Sequence, residues 1–190
     1  MGLMPIRRIL ITGNHVLHTQ ALAVTKIDLT VKQLVSDMFE TMDAAPGVGL
    51  AAPQVGEGLR IFVFSWNSGE TTYRGVAINP SLKLADPPQT EPDEELDSEG
   101  CLSIPGERFP LSRHETATLK AMDLNGDHYQ IKATGWLARI FQHEYDHLEG
   151  TLYSDRLGKP YAKQMTKAIR QSGWNTPGES WLPGQDDLEP

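Results

Sequence analysis

Two histidines four residues apart, with a glutamate directly after the first, stand in Arg139–Gly150, RIFQHEYDHLEG. On an α-helix His143 and His147 lie one above the other on a single face. Such a pair is a recurrent way to hold a catalytic divalent metal, with the glutamate beside the open coordination position. Two ordinary histidines on a half-exposed helix would look the same, so the reading depends on a third ligand. The common completions fail here. Where one metal-helix pattern places a third histidine, three residues after Gly150, the chain has Tyr153; the downstream helix YAKQMTKAIRQS, where another takes a glutamate, has no carboxylate. His15, His18, His114 and His128 have no supporting context. Cys101, the single cysteine, stands in the polar turn SEGCLSIPG. A lone cysteine is often a small buried hydrophobe, but beside an incomplete metal helix it reads as a thiolate ligand. Two imidazoles and one thiolate leave a fourth tetrahedral position open for water. Glu144 is then the expected general base, taking the proton of that water and passing it to a departing amine.

The elements that must position these groups are legible around them. From Trp136 to Leu148 the pattern is helical, and Gly150 supplies a left-handed stop. Trp136, Ile140, His143 and His147 fall at i, i+4, i+7 and i+11, so an apolar wall, or plain core, runs beside the histidines. Leu29 to Met42 places Val31, Leu34, Val35, Met38, Phe39 and Met42 at helical spacing, with Asp28 or Thr30 as cap and Ala45–Gly47 as stop. LRIFVFSW (Leu59–Trp66) and GVAINPSLKLA (Gly75–Ala85) read as strands. TATLKAMD and HYQIKAT read as a hairpin joined through Asn125–Gly126. A further helix spans about Pro160 to Ser172, with Pro160 suited to its first turn.

Length suits one domain, 1–190, with one core. It carries an acidic, proline-rich loop at about 86–98 and a turn-rich tail at about 173–190 that Trp174 and Trp181 could tie to the body. The formal net charge of −8 argues against broad nucleic-acid or membrane affinity, and one cysteine excludes an internal disulfide. The start MGLMPIRRILITG has no long apolar core, and no stretch approaches the ~18 apolar residues of a membrane span. Ile6 stands where a myristoylation signal needs Ser or Thr. A soluble cytoplasmic protein is the expectation.

Three segments, GVGLAAPQ (Gly47–Gln54), EGCLS (Glu99–Ser103) and QHEYDHLEG (Gln142–Gly150), resemble in order and spacing the three signature motifs of the peptide deformylase family. The acidic insertion and the GWNTPGESWLPG tail are similar to the actinobacterial branch. The chain departs from the family pattern at Asn14–His15, where Asp-Pro is frequent. It departs again at Arg139, commonly an apolar position, which bears on the shape of the substrate pocket. The resemblance implies an α+β fold, with β-sheets wrapped around a central metal-binding helix and a C-terminal helix. It implies removal of the formyl group from the N-terminal formylmethionine of newly made proteins. It also implies a divalent metal, Fe(II) in the cell, with Zn, Ni or Co able to occupy the site.

On the same resemblance, the Gln54 side-chain amide and the Leu102 backbone N–H are the oxyanion donors, and Arg113 lies near the substrate backbone, where a structural ion pair would look the same. Gly47 and Gly49 in GVGLAAPQ let backbone approach a peptide closely, since neither has a side chain to obstruct it. Trp136 and Ile140, with Val48 on the other side, are the expected methionine pocket. Two other readings stand beside this one: a zinc peptidase on the same helix, and a silent ribosome-binding or structural metal module. Finally, Lys159, Lys163, Lys167 and Arg170 recur at steps of four, four and three. They form a basic stripe that is either a solvated helix face or a ribosome-docking surface.

Overall fold

The computed structural model describes residues 6–186 and Leu188; the expected domain span of 1–190 also includes residues 1–5, 187 and 189–190, which lie outside the described residues. In chain order the elements are β1 (Ile9–Leu10), α1 (Leu29–Ala44), β2 (Gly49–Ala51), β3 (Ile61–Ser68), β4 (Thr71–Ala85), β5 (Ser98–Cys101) and β6 (Ile104–Pro110). There follow β7 (Thr116–Met122), β8 (His128–Thr134), α2 (Gly135–Leu148), α3 (Tyr153–Arg156), α4 (Tyr161–Ser172) and β9 (Ser180–Trp181). The fold is α+β, as expected.

Five strands form an antiparallel sheet in the order β2-β3-β4-β7-β8. The run Ile61–Phe64 explains why two helices share it. Side chains alternate across a strand: Ile61 and Val63 pack with α1, while Phe62 and Phe64 pack with α2. Both faces of the strand are therefore apolar and buried. The α1 helix starts where Asp28 Oδ1 accepts the backbone N–H groups of Thr30 and Val31, at 3.0 and 3.1 Å, the cap the sequence pointed to. It buries Val31, Leu34, Val35, Met38 and Met42 against the sheet.

α2 is the central helix. Its sheet-facing side carries Leu137, Ala138, Ile140, Phe141 and Leu148. Phe141 is fully buried and meets the Phe64 ring edge-on at 5.1 Å between centroids. The other side of α2 faces β5 and α3: His143 reaches Glu99 and stacks on Tyr153, and His147 reaches Cys101. So the histidines are enclosed between the large sheet and a small hairpin.

Two strands differ from the sequence reading. β4 begins at Thr71, four residues before Gly75, because TTYR pairs with β3 from Ser68↔Thr71 onward. Gly75 does not break the strand: a Cβ there would sit 2.9 Å from Phe64 Cζ, so glycine makes room for that ring. The stretch around Cys101, read as a turn, is a hairpin with Cys101 opposite Ile104. The β7-β8 hairpin follows the Asn125–Gly126 signal, with Gly126 at φ 86°. The segment Asp86–Asp97 has no helix or strand. β9 pairs with β1, and Trp181 is buried, so the tail is anchored through that tryptophan. Among the described residues no helix is long and apolar enough to cross a membrane.

Phe141→Ala removes the ring that wedges α2 onto the sheet. It should cost ~3–5 kcal/mol, read as a lowered urea midpoint with unchanged slope. A midpoint equal to that of the parent would contradict this packing.

Candidate metal centre and active-site cleft

One turn of α2 separates His143 and His147, and the β5-β6 hairpin brings Cys101 to them. The three ligand atoms lie within 4.8 Å of one another, and all three residues are buried. Cys101 Sγ is 3.4 Å from His147 Nε2, which is 3.2 Å from His143 Nε2. A tetrahedral ion at about 2.0–2.1 Å from nitrogen and about 2.3 Å from sulfur spaces its ligand atoms by roughly 3.3–3.6 Å. The donor set therefore fits a metal ion.

The imidazoles are oriented from outside. Glu99 Oε1 lies 2.7 Å from His143 Nδ1, so this nitrogen carries the proton and Nε2 keeps a free lone pair. Glu99 in turn accepts two bonds from Arg113, Nε at 3.1 Å and Nη2 at 2.6 Å, and one from Arg139 Nη1 at 3.1 Å. Burial alone would raise the Glu99 carboxyl, but the bond from His143 and the Arg113 charge hold it well below the ordinary carboxylate range. Arg113 also donates to Asp146 at 2.6 Å, and Asp146 accepts from Arg156 at 2.5 and 2.6 Å. A chain of alternating charge thus runs from His143 through Glu99, Arg113 and Asp146 to Arg156, whose side chain is half exposed.

Glu144 is buried next to this centre. Its Oε2 has no hydrogen-bond partner among the described residues, nor has His147 Nδ1. Burial pushes the Glu144 carboxyl up to about 7, with the His143 charge opposing. Gly49 lets this side chain in, because a Cβ at that position would collide with the Glu144 carboxylate. Gln54 closes the 3-10 turn Ala52–Val55. Its Oε1 accepts the Ala51 N–H at 2.9 Å, which turns its amide nitrogen toward Ser103 Oγ at 3.2 Å and Cys101 Sγ at 3.7 Å.

A cavity of about 340 Å³ opens onto the centre, walled by Gly47–Gly49, Gln54 and Gly100–Leu102 on one side and Trp136, Arg139, Ile140, His143 and Glu144 on the other. Val48, Gly49, Gln54, Leu102, Trp136 and Ile140 are thus brought together around one cavity. Trp136 stacks on Trp66 at 6.1 Å. Arg139 lines the cavity, yet its charge is engaged by Asp97 at 2.5 Å, Glu99 and the Leu111 carbonyl at 2.6 Å. The wall therefore presents the guanidinium face over Trp136 rather than a free cation.

Of the two readings of Arg113, substrate contact and structural ion pair, the packing supports the second: it lies behind the metal ligands with its side chain only 6% exposed. Its fork is taken up by Glu99 and Asp146, and it does not line the cavity. Sequence reasoning missed Glu99 as the partner of His143. The available signal was spacing: residues two apart on a strand share a face, so Glu99 and Cys101 point the same way once β5 is recognised.

Three convergent donor atoms, an unpartnered buried carboxyl and a cleft reaching both define the centre of a metal-dependent hydrolase. The model of the family described as Polypeptide deformylase matches residues 6–163. A peptide deformylase of Tropheryma whipplei is 50% identical over 186 residues, covering 92% of each chain. One of Mycolicibacterium paratuberculosis is 44% identical over 193 residues, covering 97% of this chain and 96% of its own. The crystal structure of a Synechococcus elongatus peptide deformylase in complex with actinonin superposes with a TM-score of 0.75 at 34% identity, covering 92% of this chain and 89% of that one. The chain belongs to the polypeptide deformylase family, metal-dependent hydrolases that remove the formyl group from the N-terminus of newly made proteins. The zinc-peptidase alternative falls with that result.

Glu99→Gln removes the charge that orients His143 while keeping the side-chain volume. Metal affinity should drop by about 10–100-fold, measured by competition against a chromophoric chelator. Unchanged affinity would show that His143 is oriented by something else.

Proposed function

We propose that this chain deformylates N-formylmethionyl nascent polypeptides as one domain, 1–190, with Cys101, His143 and His147 as the protein ligands of one divalent metal. The observation that carries the proposal is the convergence of those three donors beside Glu144 at the floor of the cleft. Fe(II) is the proposed metal in the cell. Histidine nitrogen and thiolate suit iron and zinc alike, and availability decides between them; nickel and cobalt fit the same donors. When bound, the metal supplies a water with its pKa lowered from ~16 towards ~7 and polarises the formyl carbonyl.

The chain's own residues do the rest. Glu144, which lines the cavity beside Cys101 and His143, would take a proton from the attacking water and deliver it to the leaving amine. The Gln54 side-chain N–H and the Leu102 backbone N–H donate to the oxyanion that forms at the formyl carbon. Gln54 is prepared for this because Ala51 fixes which end of its amide faces the site. Trp136 and Ile140, with Val48 and Gly49 opposite, receive the methionine side chain, an unbranched thioether suited to an apolar slot. Arg113 serves by holding Glu99. The substrate places the work in the cytoplasm, where formylated chains emerge. Intact Glu144 and Gln54 oppose the reading of a silent module.

The direct test is anaerobic purification with metal analysis, followed by formate release from a formyl-methionyl peptide. About one metal per chain and chelator-sensitive release are expected; a metal-loaded protein that releases no formate would overturn the proposal. Glu144→Gln should keep the metal and lose about 10²–10⁴-fold in kcat. Near-normal turnover in that variant would place the base elsewhere.

Docking on the ribosome through α4 is a finer part of the same proposal. Lys159, Lys163, Lys167 and Arg170 are exposed, while Met165 is buried beneath them with Ile169 packed beside it. Reversing Lys163 and Lys167 to Glu should weaken co-sedimentation with ribosomes, most at low salt, and leave hydrolysis of a short formyl peptide intact. Salt-independent, unaltered binding would mark the stripe as plain solvated surface.

A further inference from the structure

The family match ends at residue 163, yet the chain beyond it reaches back to the catalytic hairpin. Leu102 and Ser103 are the two residues that join β5 to β6, between the paired Cys101 and Ile104. The tip they form is held by outside donors. Trp181 Nε1 donates to the Leu102 carbonyl at 2.8 Å, Thr12 N–H donates to the Ser103 carbonyl at 3.0 Å, and Gln54 Nε2 donates to Ser103 Oγ at 3.2 Å.

The first of these donors is itself firmly placed. Trp181 is 2% exposed in the core beneath α1. Its strand pairs in antiparallel register with Ile9 and Leu10. The approach to it is tied down by Ile11 N–H and Asn14 Nδ2 on the Glu179 carbonyl, at 3.0 and 2.7 Å.

Turn types I and II differ in the orientation of the central peptide. Here the central peptide is the one carrying the Leu102 carbonyl. An indole N–H bonded to that oxygen from a rigid, buried ring holds it in one orientation. The Leu102 side chain meets the other wall near Gly47. The Leu102 N–H belongs to the preceding peptide; with Cys101 paired to Ile104 on one side and the Leu102 carbonyl and side chain held on the other, the Leu102 Cα and nitrogen are kept in place.

We propose that the C-terminal tail takes part in catalysis through Trp181, a positioning residue whose indole N–H anchors the Leu102 carbonyl and so holds residue 102, with its N–H, in place at the oxyanion. The proposal rests on the reading of Leu102 N–H as an oxyanion donor. Removing an oxyanion donor outright costs about 10²–10³ in kcat, so loosening its aim should cost less, about tenfold.

The test uses the zinc-loaded full chain with Trp181→Phe, which keeps a buried ring and deletes the donor. A second variant carries benzothienylalanine at 181, which keeps the bicyclic shape with sulfur in place of the N–H; it serves if Trp181→Phe folds poorly. Three readouts are taken: kcat and KM on a formyl-methionyl peptide, metal content, and the exchange rate of the Leu102 amide by NMR. Lower kcat with unchanged KM and metal content, together with faster Leu102 exchange, is the expected result. Unchanged kcat and unchanged exchange would overturn the positioning role. Faster exchange with unchanged kcat would overturn the assignment of Leu102 as a donor, and the proposal with it. A fall in kcat that only follows metal loss would reduce Trp181 to structural support.

Discussion

A single buried carboxylate, Glu99, joins the parts on which everything else depends. It stands on β5, accepts from His143 and Arg139 on α2, and takes the fork of Arg113 from the segment before β7. Burying that charge alone would be prohibitive. It is tolerable because a chain of opposite charges continues through Arg113 and Asp146 to Arg156 near solvent. An array like this adds little net stability over a well-packed apolar replacement, whereas removing one member typically costs ~3–5 kcal/mol. What it secures is geometry: the hairpin carrying Cys101 and the helix carrying both histidines are tied together at the place where their ligand atoms meet.

This explains why α2 is apolar on one side only and yet buried nearly all round. Phe141 and its neighbours face the sheet, and the hydrophobic contacts there supply the adhesion. Arg139, Gln142, His143, Glu144, Asp146 and His147 are all buried as well, and each but Glu144 is engaged by protein groups or aimed at the common centre. Glu144 retains an oxygen with no partner. A buried carboxyl of that kind is costly, and a catalytic role accounts for its retention. The missing side chain at Gly49 is the concession the neighbouring strand makes to it.

Much of this was legible from spacing. Three helices announced themselves through period and caps, the β7-β8 hairpin through Asn125–Gly126, and the metal ligands through a two-histidine turn that lacked a third member. What escaped was short or glycine-bearing. β5 and β6 were hidden because SEGC offers no run of β-formers and a lone cysteine between polar residues looks like a turn. With the strand unread, the shared face of Glu99 and Cys101 was invisible, and Arg113 had no partner to be assigned to. Substrate contact and a structural ion pair were therefore both open, and buried carboxylates behind the site claim it. Arg139 is the same lesson from the other side. An arginine at an apolar position looks anomalous until Asp97, Glu99 and the Leu111 carbonyl, 42, 40 and 28 residues away in sequence, are brought to it by the fold.

The central claim is that one thiolate and two imidazoles from these elements hold the metal. X-ray absorption at the metal edge of the anaerobically purified protein tests it most directly. For a zinc-loaded sample the account predicts one sulfur scatterer at about 2.3 Å and two imidazole nitrogens at about 2.0–2.1 Å, with the remaining position filled by oxygen. A first shell without sulfur, or with a single imidazole, would contradict it.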